Sequence, residues 1–489
     1  MSSYELVIRG GTVANTSDVA RCDVAISGGR VVALGEHLPR GEKEIDACGL
    51  LVLPGGVDGH CHIEQHLGHG AVSADDFYSA TVSAAFGGTT MVIPFAAQSV
   101  GGSLRRAVDE YHELARPKAV IDYAFHLIVG DPTPQVLGQE LPALIASGYT
   151  SLKIYMTAST RPAMNDRQML DVFEVARREG AMMMVHAENH EMIQWLTDRL
   201  LDRGHRAPQY FTVSHPRISE AEATHRAISL AELIDVPILI VHVSTAVAME
   251  EIRRAQTRGL KVYAETCPQY LLLTAKDLER EGMEGAKFCC SPPPRDETEH
   301  QAVWHGIANG TLTVFSSDHA PYRFDETGKL ASGPNPSFKD IPRGVPGIET
   351  RLPLLFSEGV RSGRMDLTTF VALTATNPAK MYGLHPRKGT IAVGSDADIA
   401  IWDPDKKVTV TYDLLHDNSG YTPYEGRVVT GWPVTVLSRG RVAVRDGRLH
   451  VEPGSGQFLA RGLSDHARPL GRLEPEIDPR RNFGATILS

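Results

Sequence analysis

The stretch L-L-V-L-P-G-G-V-D-G-H-C-H, residues 50–62, joins an apolar run directly to two histidines. Adjacent aliphatic residues followed by a glycine turn are typical of a buried strand. His60 and His62 are separated by one residue, so an extended backbone directs both imidazoles to the same side. The stretch therefore predicts a strand end at which two histidines bind one metal ion, although two surface histidines would have the same spacing.

Seven further apolar runs follow along the chain, and helical stretches separate them. They are T-T-M-V-I-P-F, Y-A-F-H-L-I-V, S-L-K-I-Y-M, M-M-M-V-H-A-E, I-L-I-V-H-V-S, K-V-Y-A-E-T and L-T-V-F-S-S-D. Runs of this kind, alternating with helices, indicate parallel strands that are buried on both faces. Eight such units predict an α/β fold with a (β/α)8 TIM-type barrel. One helix contains S-E-A-E-A-T-H-R-A-I-S-L, and we expect Ser219 to be its N-cap.

The two ends of the chain have a different texture from the middle. Short strands broken by glycine turns occur before the first barrel strand and again after the last barrel helix. We therefore expect a small β-sandwich domain built from both chain ends, residues 1–52 and 385–460, around a barrel at residues 53–384. The polar tail at residues 461–489 is rich in proline, and we interpret it as an oligomer arm on a neighbouring subunit or as a disordered segment.

The composition excludes several classes of protein. Of the 489 residues, 42% are hydrophobic, and a net charge of −10 without any Lys/Arg-rich block excludes a nucleic-acid surface. No apolar run approaches the roughly 18 residues of a membrane helix, and the N-terminus shows no secretory signal. The six cysteines include no C-x-x-C pair, so we interpret them as buried thiols in a reducing compartment. We expect a cytoplasmic protein with no membrane or nucleic-acid partner.

Polar residues stand at the ends of several predicted barrel strands, where barrel enzymes carry their chemistry. The candidates are His60, His62, Lys153, His186, His242 and Asp318. A core, turn or surface role explains any one of them equally well. Together, in strand-end register, they favour a metal site. Four imidazoles and a carboxylate suit zinc or a similar divalent ion.

Lys153, in S-L-K-I-Y-M, is the most informative candidate. A buried ammonium group close to metal cations would be strongly destabilised, so we expect a neutral amine. A neutral amine can react with carbon dioxide to form a carbamate, and the carboxylate of a carbamate can bridge two metal ions. Considered alone, Lys153 could instead extend its amine to solvent.

Longer motifs point to a family. E-T-C-P-Q-Y-L-L-L and C-S-P-P-P-R accompany D-G-H-C-H, together with V-H-A-E-N, I-V-H-V-S, S-S-D-H-A-P, V-P-G-I-E-T-R-L-P-L-L and K-G-T-I-A-V-G-S-D-A-D. Over about residues 4–460 the sequence resembles the amidohydrolase superfamily, and within it the cyclic amidases called dihydropyrimidinases or hydantoinases. D-x-H-x-H marks only the superfamily, whereas E-T-C-P-Q-Y-L and C-S-P-P-P-R are specific to the subgroup.

The resemblance implies an enzyme with two divalent metal ions, usually zinc, with manganese or cobalt as alternatives. His60, His62 and Asp318 would bind one ion, His186 and His242 would bind the other, and Lys153 N-carboxylated by CO2 would bridge them. The implied reaction is attack by a bridging hydroxide on a cyclic amide, with Asp318 as the catalytic proton carrier. A hydantoin-type or dihydropyrimidine-type ring would open to an N-carbamoyl amino acid. Relatives form homotetramers or homodimers.

The substrate contacts depart from the family pattern. Relatives typically carry a tyrosine five residues after the lysine, which supports the oxyanion, whereas this chain has Ala158. Tyr155 shares the strand face of Lys153, and we interpret it as a packing residue. Ser291 matches a residue whose main chain contacts the substrate. Relatives often have I-P-N-G where this chain has I-P-R-G, so Arg343 either binds an acidic substituent of the substrate or extends into solvent.

The loop after the first barrel strand helps to distinguish the alternative functions. Glu64 stands where dihydroorotases usually carry a substrate-binding arginine, which disfavours that activity. We interpret Glu64, His66 and His69 as loop residues without catalytic duty. Allantoinase, or another cyclic amide or imide hydrolase, stays open because its metal set is alike. A non-catalytic dihydropyrimidinase-like protein is disfavoured because every predicted ligand position is filled.

Overall fold

The computed structural model describes residues 4–65, 70–158 and 162–488. The chain begins in a small β-domain. Its first strands are β1 (Tyr4–Ala14), β2 (Val19–Ser27), β3 (Arg30–Gly35), β4 (Gly41–Asp46) and β5 (Leu51–Pro54). The apolar run that precedes the two histidines is therefore divided: its first part is β5, which pairs with β1, and the barrel begins after it.

The barrel follows as a sheet of parallel strands. They are β6 (Gly56–Cys61), β7 (Thr89–Ala97), β8 (Asp122–Tyr123), β9 (His126–Ile128), β10 (Ser151–Tyr155), β11 (Met182–His186), β12 (Ile238–Ile240), β13 (Val262–Thr266) and β14 (Val314–Phe315). The order in the sheet is β14-β13-β12-β11-β10-β9-β7-β6, and β8 also pairs with β7. The main-chain N–H of Asp318 donates to the carbonyl of His60 at 2.9 Å, which joins the last strand to the first. The predicted TIM-type barrel is confirmed.

The chain then returns to the small domain. The last strands are β15 (Ile399–Thr409), β16 (Val428–Ser438), β17 (Arg441–Arg445) and β18 (Arg448–Leu449). They complete a sheet with the order β18-β17-β16-β15-β5-β1-β2-β3, in which β4 lies beside β1. The prediction of a β-domain built from both chain ends is confirmed, because β5 from the first part pairs directly with β15 from the second.

Helices surround the barrel. The α-helices are α1 (Phe77–Phe86), α2 (Leu104–Ala115), α3 (Leu141–Ala146), α4 (Asp166–Glu179), α5 (His190–Asp202), α6 (Tyr210–Ser214), α7 (Arg217–Leu233), α8 (Ala246–Thr257), α9 (Gln269–Leu272), α10 (Glu297–Ala308), α11 (Arg351–Leu355), α12 (Leu367–Val371) and α13 (Asn377–Met381). Short π-helical segments adjoin them at Val136–Glu140, Phe356–Arg361 and Ala372–Thr376, and 3-10 segments lie at Ala275–Glu279, Glu284–Phe288, Tyr412–Leu414 and Asp465–Ala467. None of the described helices is both long and apolar enough to cross a membrane.

The N-cap prediction for α7 is wrong. The helix begins at Arg217 with Pro216 as its N-cap, so Ser219 lies in the first turn. The hydroxyl of Ser219 donates to the Pro216 carbonyl at 2.7 Å instead of accepting from a main-chain N–H. A proline needs no hydrogen-bond partner for its nitrogen at a helix start, and this permits the earlier beginning.

Strand alternation decides which side chains enter the barrel. Met182 and Met184 of β11 pack with other apolar side chains inside the barrel, which we call the barrel-interior cluster. Met183 and Val185 pack against the helices outside it. His186 continues the inward series. In β10, Leu152 and Ile154 likewise face the helices, so the intervening Lys153 faces the interior. The two strands are paired with Lys153 opposite Met184.

The C-terminal part of the chain covers the barrel at the N-terminal ends of its strands. Arg461 is buried, and its guanidinium donates to Ser151 Oγ at 2.8 Å and to the Phe125 carbonyl at 2.6 Å. Farther on, Lys261 Nζ donates to the carbonyls of Asp465 and Arg468. The first part of the tail therefore packs against its own barrel. That the tail contacts a neighbouring subunit stays a prediction.

Lys388 joins the two domains through buried carboxylates. Its Nζ lies 2.7 Å from Asp122 of β8, 2.6 Å from Asp398 and 3.1 Å from Asp396. Replacing Lys388 by methionine should lower the free energy of unfolding by about 3–5 kcal/mol, because the carboxylates would lose their buried counter-charge. The midpoint of urea unfolding, followed by circular dichroism, measures this change.

Arg387→Met is the matched control for Lys388→Met. Arg387 also pairs with Asp396, at 2.9 Å, but its side chain is 44% exposed. Exposed ion pairs typically contribute about 0–1 kcal/mol. Equal unfolding midpoints for the wild type and Lys388→Met would contradict the prediction.

Candidate metal centre

His60, His62 and Asp318 come together where the first and last barrel strands meet. His60 lies in β6, His62 follows it, and Asp318 follows β14. The Nε2 atoms of His60 and His62 lie 3.3 and 3.4 Å from Oδ1 of Asp318. One ligand atom from each residue lies within 4.8 Å of the others, which is close enough for all three to bind one ion.

Hydrogen bonds determine which ring nitrogen of each histidine carries its proton. Nδ1 of His60 lies 2.6 Å from Oε1 of Glu265, an oxygen that also accepts from the main chain of His242. Nδ1 of His62 lies 2.9 Å from Oε1 of Gln65, whose Nε2 donates to the Phe95 carbonyl. Both Nδ1 atoms therefore donate, and both Nε2 atoms are left without a proton.

Two bare nitrogens and a carboxylate oxygen thus converge on one another. Burial, followed by the positive charge of Lys153, holds the pKa of His60 well below its ordinary value. Protonation of the His60 ring therefore does not supply the missing donor between these acceptors. Convergent acceptors of this kind fit a bound divalent cation, because metal ligands must be deprotonated.

His186 and His242 form a second group beside the first. His186 ends β11 and His242 follows β12, with Nε2 of His242 2.9 Å from Nδ1 of His186. Nε2 of His186 donates to Oε2 of Glu188 at 2.7 Å, which leaves Nδ1 of His186 bare. The ring centres of His242 and His60 are 5.4 Å apart, so the two groups are adjacent.

Lys153 lies between the two groups. Its side chain is fully buried, and Nζ has no hydrogen-bond partner among the described residues. Nζ lies 5.5 Å from the ring centre of Phe95, whose ring packs against His60 and His62, and 5.3 Å from that of Tyr155, whose ring lies 5.2 Å from His186. Burial lowers the pKa of Lys153, against the opposing effect of nearby carboxylates. At a pKa of about 8 the neutral amine is far more populated at neutral pH than in an ordinary lysine, although the ammonium form still predominates.

Asp318 combines an unusual backbone with a stabilised charge. Burial by itself would raise its pKa, but the surrounding side chains, the positive charge of Lys153 among them, outweigh burial, and the pKa is lowered. Asp318 and His242 have φ angles of 48° and 41°, in the left-handed region that non-glycine residues rarely adopt. Such strain is typical of residues whose side chains are held in a functional arrangement.

The structure places Ser291 against Glu188 and Arg343 beside Phe211. The hydroxyl of Ser291 donates to Oε2 of Glu188 at 2.7 Å. Arg343 is half-buried, with its guanidinium carbon 5.1 Å from the ring centre of Phe211. Its Nη1 is buried and has no hydrogen-bond partner among the described residues. This side chain therefore does not simply extend into solvent.

The neighbouring loops account for other residues singled out in the sequence. Tyr155 packs, partly buried, against the barrel-interior cluster. The main-chain N–H of Ala158 donates to Nδ1 of His190 at 3.3 Å. Glu64 accepts from the main-chain N–H of Phe77 and pairs with Lys118, so its carboxylate serves the start of α1. His66 and His69 lie outside the described residues.

Sequence reasoning missed three residues that orient the candidate ligands. They are Gln65, Glu188 and Glu265, which hydrogen-bond the outer nitrogens of His62, His186 and His60. Partners of this kind fix the tautomer of a metal-binding histidine. The sequence did contain a signal, because each of the three residues stands in a motif at the end of a predicted strand. These motifs are H-I-E-Q, H-A-E-N and Y-A-E-T.

A cavity of about 460 Å³ opens beside these residues. Its lining includes Gln65, Phe95, Gln98, Tyr111 and Pro162. The Phe95 ring stacks on His62, with ring centres 5.1 Å apart, so this ring lies between the cavity and a candidate ligand. Its volume is in the range of sites that bind small molecules.

Known proteins resemble this chain over nearly its whole length. The Amidohydrolase family model matches residues 51–443. A D-hydantoinase of Ralstonia pickettii is 43% identical and one of Rhizobium radiobacter 42% identical, each over 94% of this chain and 99% of the relative. The crystal structure of a dihydropyrimidinase from Brevibacillus agri NCHU1002 superposes with a TM-score of 0.91 at 42% identity, covering 95% of this chain and 99% of that one. The chain therefore belongs to the amidohydrolase family, and within it to the hydantoinase and dihydropyrimidinase group.

Proposed function

We propose that this protein is a metal-dependent cyclic amidohydrolase that opens a hydantoin-type or dihydropyrimidine-type ring to an N-carbamoyl amino acid. The observation that carries the proposal is the convergence of the bare Nε2 atoms of His60 and His62 on the carboxylate of Asp318. That cluster lies in a chain closely similar to D-hydantoinases along nearly its whole length.

Two divalent ions, zinc in our proposal, fit the side chains present. His60, His62 and Asp318 would hold one ion, and His186, through its bare Nδ1, would hold the other together with His242. Amidohydrolases are generally dinuclear, which agrees with two adjacent groups of ligands. When bound, the ions would polarise the substrate carbonyl and lower the pKa of the attacking water.

Lys153 would supply the ligand shared by both ions. The lone pair of its neutral amine attacks carbon dioxide, the nitrogen loses a proton, and a carbamate anion forms. The burial that disfavours an ammonium group at this position favours the neutral amine that reacts. The modified side chain would present two oxygens between the two histidine groups.

Asp318 would move the proton. Its pKa is lowered, so the carboxylate is ionised at neutral pH and can accept a proton from the attacking water. The same oxygen would deliver the proton to the ring nitrogen as the carbon–nitrogen bond breaks. The main-chain groups of Ser291 and Arg343 would hold the ring in place, with its substituent beside the cavity next to Phe95.

The proposal is tested with purified protein that has been stripped by a chelator and reloaded with zinc, manganese or cobalt. Hydantoin, dihydrouracil, allantoin, dihydroorotate and succinimide form the substrate panel. We expect about two ions per chain and ring opening of hydantoin or dihydrouracil that is lost on chelation and restored by metal. A fully loaded protein that opens none of these rings would overturn the proposal, and a preference for allantoin would favour the allantoinase alternative.

The oligomeric state is proposed from the resemblance alone. We propose a homotetramer or homodimer, which light scattering coupled to size-exclusion chromatography would test. A monomer at micromolar concentration would contradict it.

Ala158→Tyr should raise the kcat for hydantoin by about tenfold or more. A single oxyanion donor is typically worth about 10²- to 10³-fold in rate, and part of that gain depends on how well the new hydroxyl is placed. Steady-state kinetics at saturating hydantoin measures the change. Ala158→Phe is the control, since it adds the ring without the hydroxyl. Equal rates for the two variants would mean that another group already serves as donor.

A further inference from the structure

Behind His186 lies a polar cluster whose side chains the proposed chemistry does not use. We define the Glu188 cluster as Glu188, His215, Ser291 and Arg343. Glu188 is 0% exposed and His215 1% exposed, and the other two are half-buried. A carboxylate buried to this extent is costly unless it is paired and hydrogen-bonded, so the cluster needs an explanation.

One oxygen of Glu188 joins two parts of the site. Its Oε2 accepts from Nε2 of His186 at 2.7 Å and from the hydroxyl of Ser291 at 2.7 Å. His186 is a candidate metal ligand, and Ser291 is a candidate substrate contact through its main chain. Any displacement of this carboxylate would therefore disturb both the ligand and the substrate loop.

The other oxygen of Glu188 is one of three unpaired polar atoms in the cluster. Oε1 of Glu188, Nε2 of His215 and Nη1 of Arg343 are all buried without a hydrogen-bond partner among the described residues. Nδ1 of His215 lies 3.0 Å from the Phe211 carbonyl and so donates there, which leaves Nε2 as an acceptor. The cluster thus contains one unpaired donor, on Arg343, and two unpaired acceptors, on Glu188 and His215.

Arg343 and His215 both lie against the ring of Phe211. The His215 ring lies 4.2 Å from the Phe211 ring, centre to centre, and the guanidinium carbon of Arg343 lies 5.1 Å from the same ring centre. Glu188 is the foremost of the charges that favour the cationic form of Arg343, against the opposing effect of burial. The guanidinium is thus close enough to Glu188 to interact with its charge, without a direct ion pair between the two side chains.

We propose that Glu188 is a positioning residue that couples His186 to the substrate loop at Ser291, and that the Arg343 side chain is the counter-charge that holds Glu188 in place. This inference rests on the proposed function. It assigns the Arg343 side chain to the support of a metal ligand and leaves only the main chain of that residue for the substrate. Outer partners of metal-binding histidines typically contribute about 10- to 100-fold to metal affinity or activity.

The test compares Glu188→Gln, Ser291→Ala and Arg343→Met. The first readout is the rate at which zinc passes from each loaded variant to a chromogenic chelator, which needs no turnover. The second is KM and kcat with hydantoin and with hydantoin-5-acetic acid, a substrate that carries an acidic substituent. Glu188→Gln should release the more weakly held ion about 10- to 100-fold faster and raise KM. Ser291→Ala should raise KM several-fold with unchanged zinc release.

Arg343→Met separates the two roles considered for this arginine. We expect faster zinc release and an equal fractional loss of kcat/KM on both substrates. A loss confined to hydantoin-5-acetic acid, with zinc release unchanged, would assign Arg343 to the substrate instead and overturn this part of the proposal. Wild-type zinc release and kinetics in Glu188→Gln would overturn the rest.

Glu220→Gln is the matched control. Glu220 is also buried, accepts from Ser244 Oγ at 2.6 Å and lies 3.4 Å from Arg295, but it contacts no candidate ligand. We expect it to lower the melting temperature about as much as Glu188→Gln does, with zinc release unchanged. If both variants release zinc equally faster than the wild type, the effect of Glu188→Gln comes from a general loss of stability. That result would overturn the proposal. Failure of the proposed function is distinguishable, because the wild type itself would then bind no zinc or open no ring.

Discussion

Lys153→Ala is expected to reduce ring opening by at least about 10³-fold and to lower the metal content below two ions per chain. Loss of an outer partner of a ligand already costs about 10- to 100-fold, and loss of the shared ligand itself removes more. Formate, acetate or propionate should restore part of the activity, because the space left by the lysine side chain admits a free carboxylate. Metal analysis and kinetics with and without each acid measure both effects.

Lys153→Met is the control for this rescue. Methionine fills the space beside Phe95 and Tyr155 with an apolar chain that cannot form a carbamate. This variant should be as inactive as Lys153→Ala, and carboxylic acids should not restore it. Turnover within tenfold of the wild type in Lys153→Ala would count against the carbamate.

Asp318→Asn is expected to lower kcat by about 10³- to 10⁴-fold with a smaller change in KM. A positioned proton carrier typically contributes about 10²- to 10⁴-fold, and this side chain is also a candidate ligand. The amide keeps the shape of the carboxylate but accepts no proton at neutral pH. Steady-state kinetics, with metal content measured on the same samples, separates the loss of proton transfer from the loss of the ion.

Glu64→Gln makes the same chemical change close to the site. Its carboxylate is directed at Phe77 and Lys118 and not at the histidines, so kcat should stay within about twofold of the wild type. A loss of activity in Asp318→Asn no larger than that in Glu64→Gln would exclude Asp318 as the proton carrier.

The barrel could be predicted from the sequence because each of its strands is a buried parallel strand. Such a strand is apolar on both faces, so it stands out from the helices around it without any knowledge of its neighbours. Parallel strands also end at one edge, which is why His60, His186 and Asp318 could be grouped although they are far apart in the chain. The structure brings these residues to adjacent positions at that edge.

The partners of these residues could not be predicted, because they depend on contacts between distant segments. Glu265 meets His60 across 205 positions of sequence, and its place in a strand-end motif does not show which histidine it contacts. The division of the run at residues 50–62 was also hidden, since β5 and β6 are almost continuous in the sequence and only pairing with neighbouring strands such as β15 assigns β5 to the small domain. Arg343 was ambiguous for the same reason: its surroundings come from the loop that carries Phe211.

The small domain has a consequence for biosynthesis. β5 is synthesised near the start of translation, but its partner β15 lies about 350 residues later in the chain. The two strands can therefore pair only after the whole barrel has been synthesised. Until that partner leaves the ribosome, β5 presents an unpaired edge, which is a template for association with other nascent chains. We expect chains that terminate before β15 to aggregate even though every barrel strand has already been synthesised.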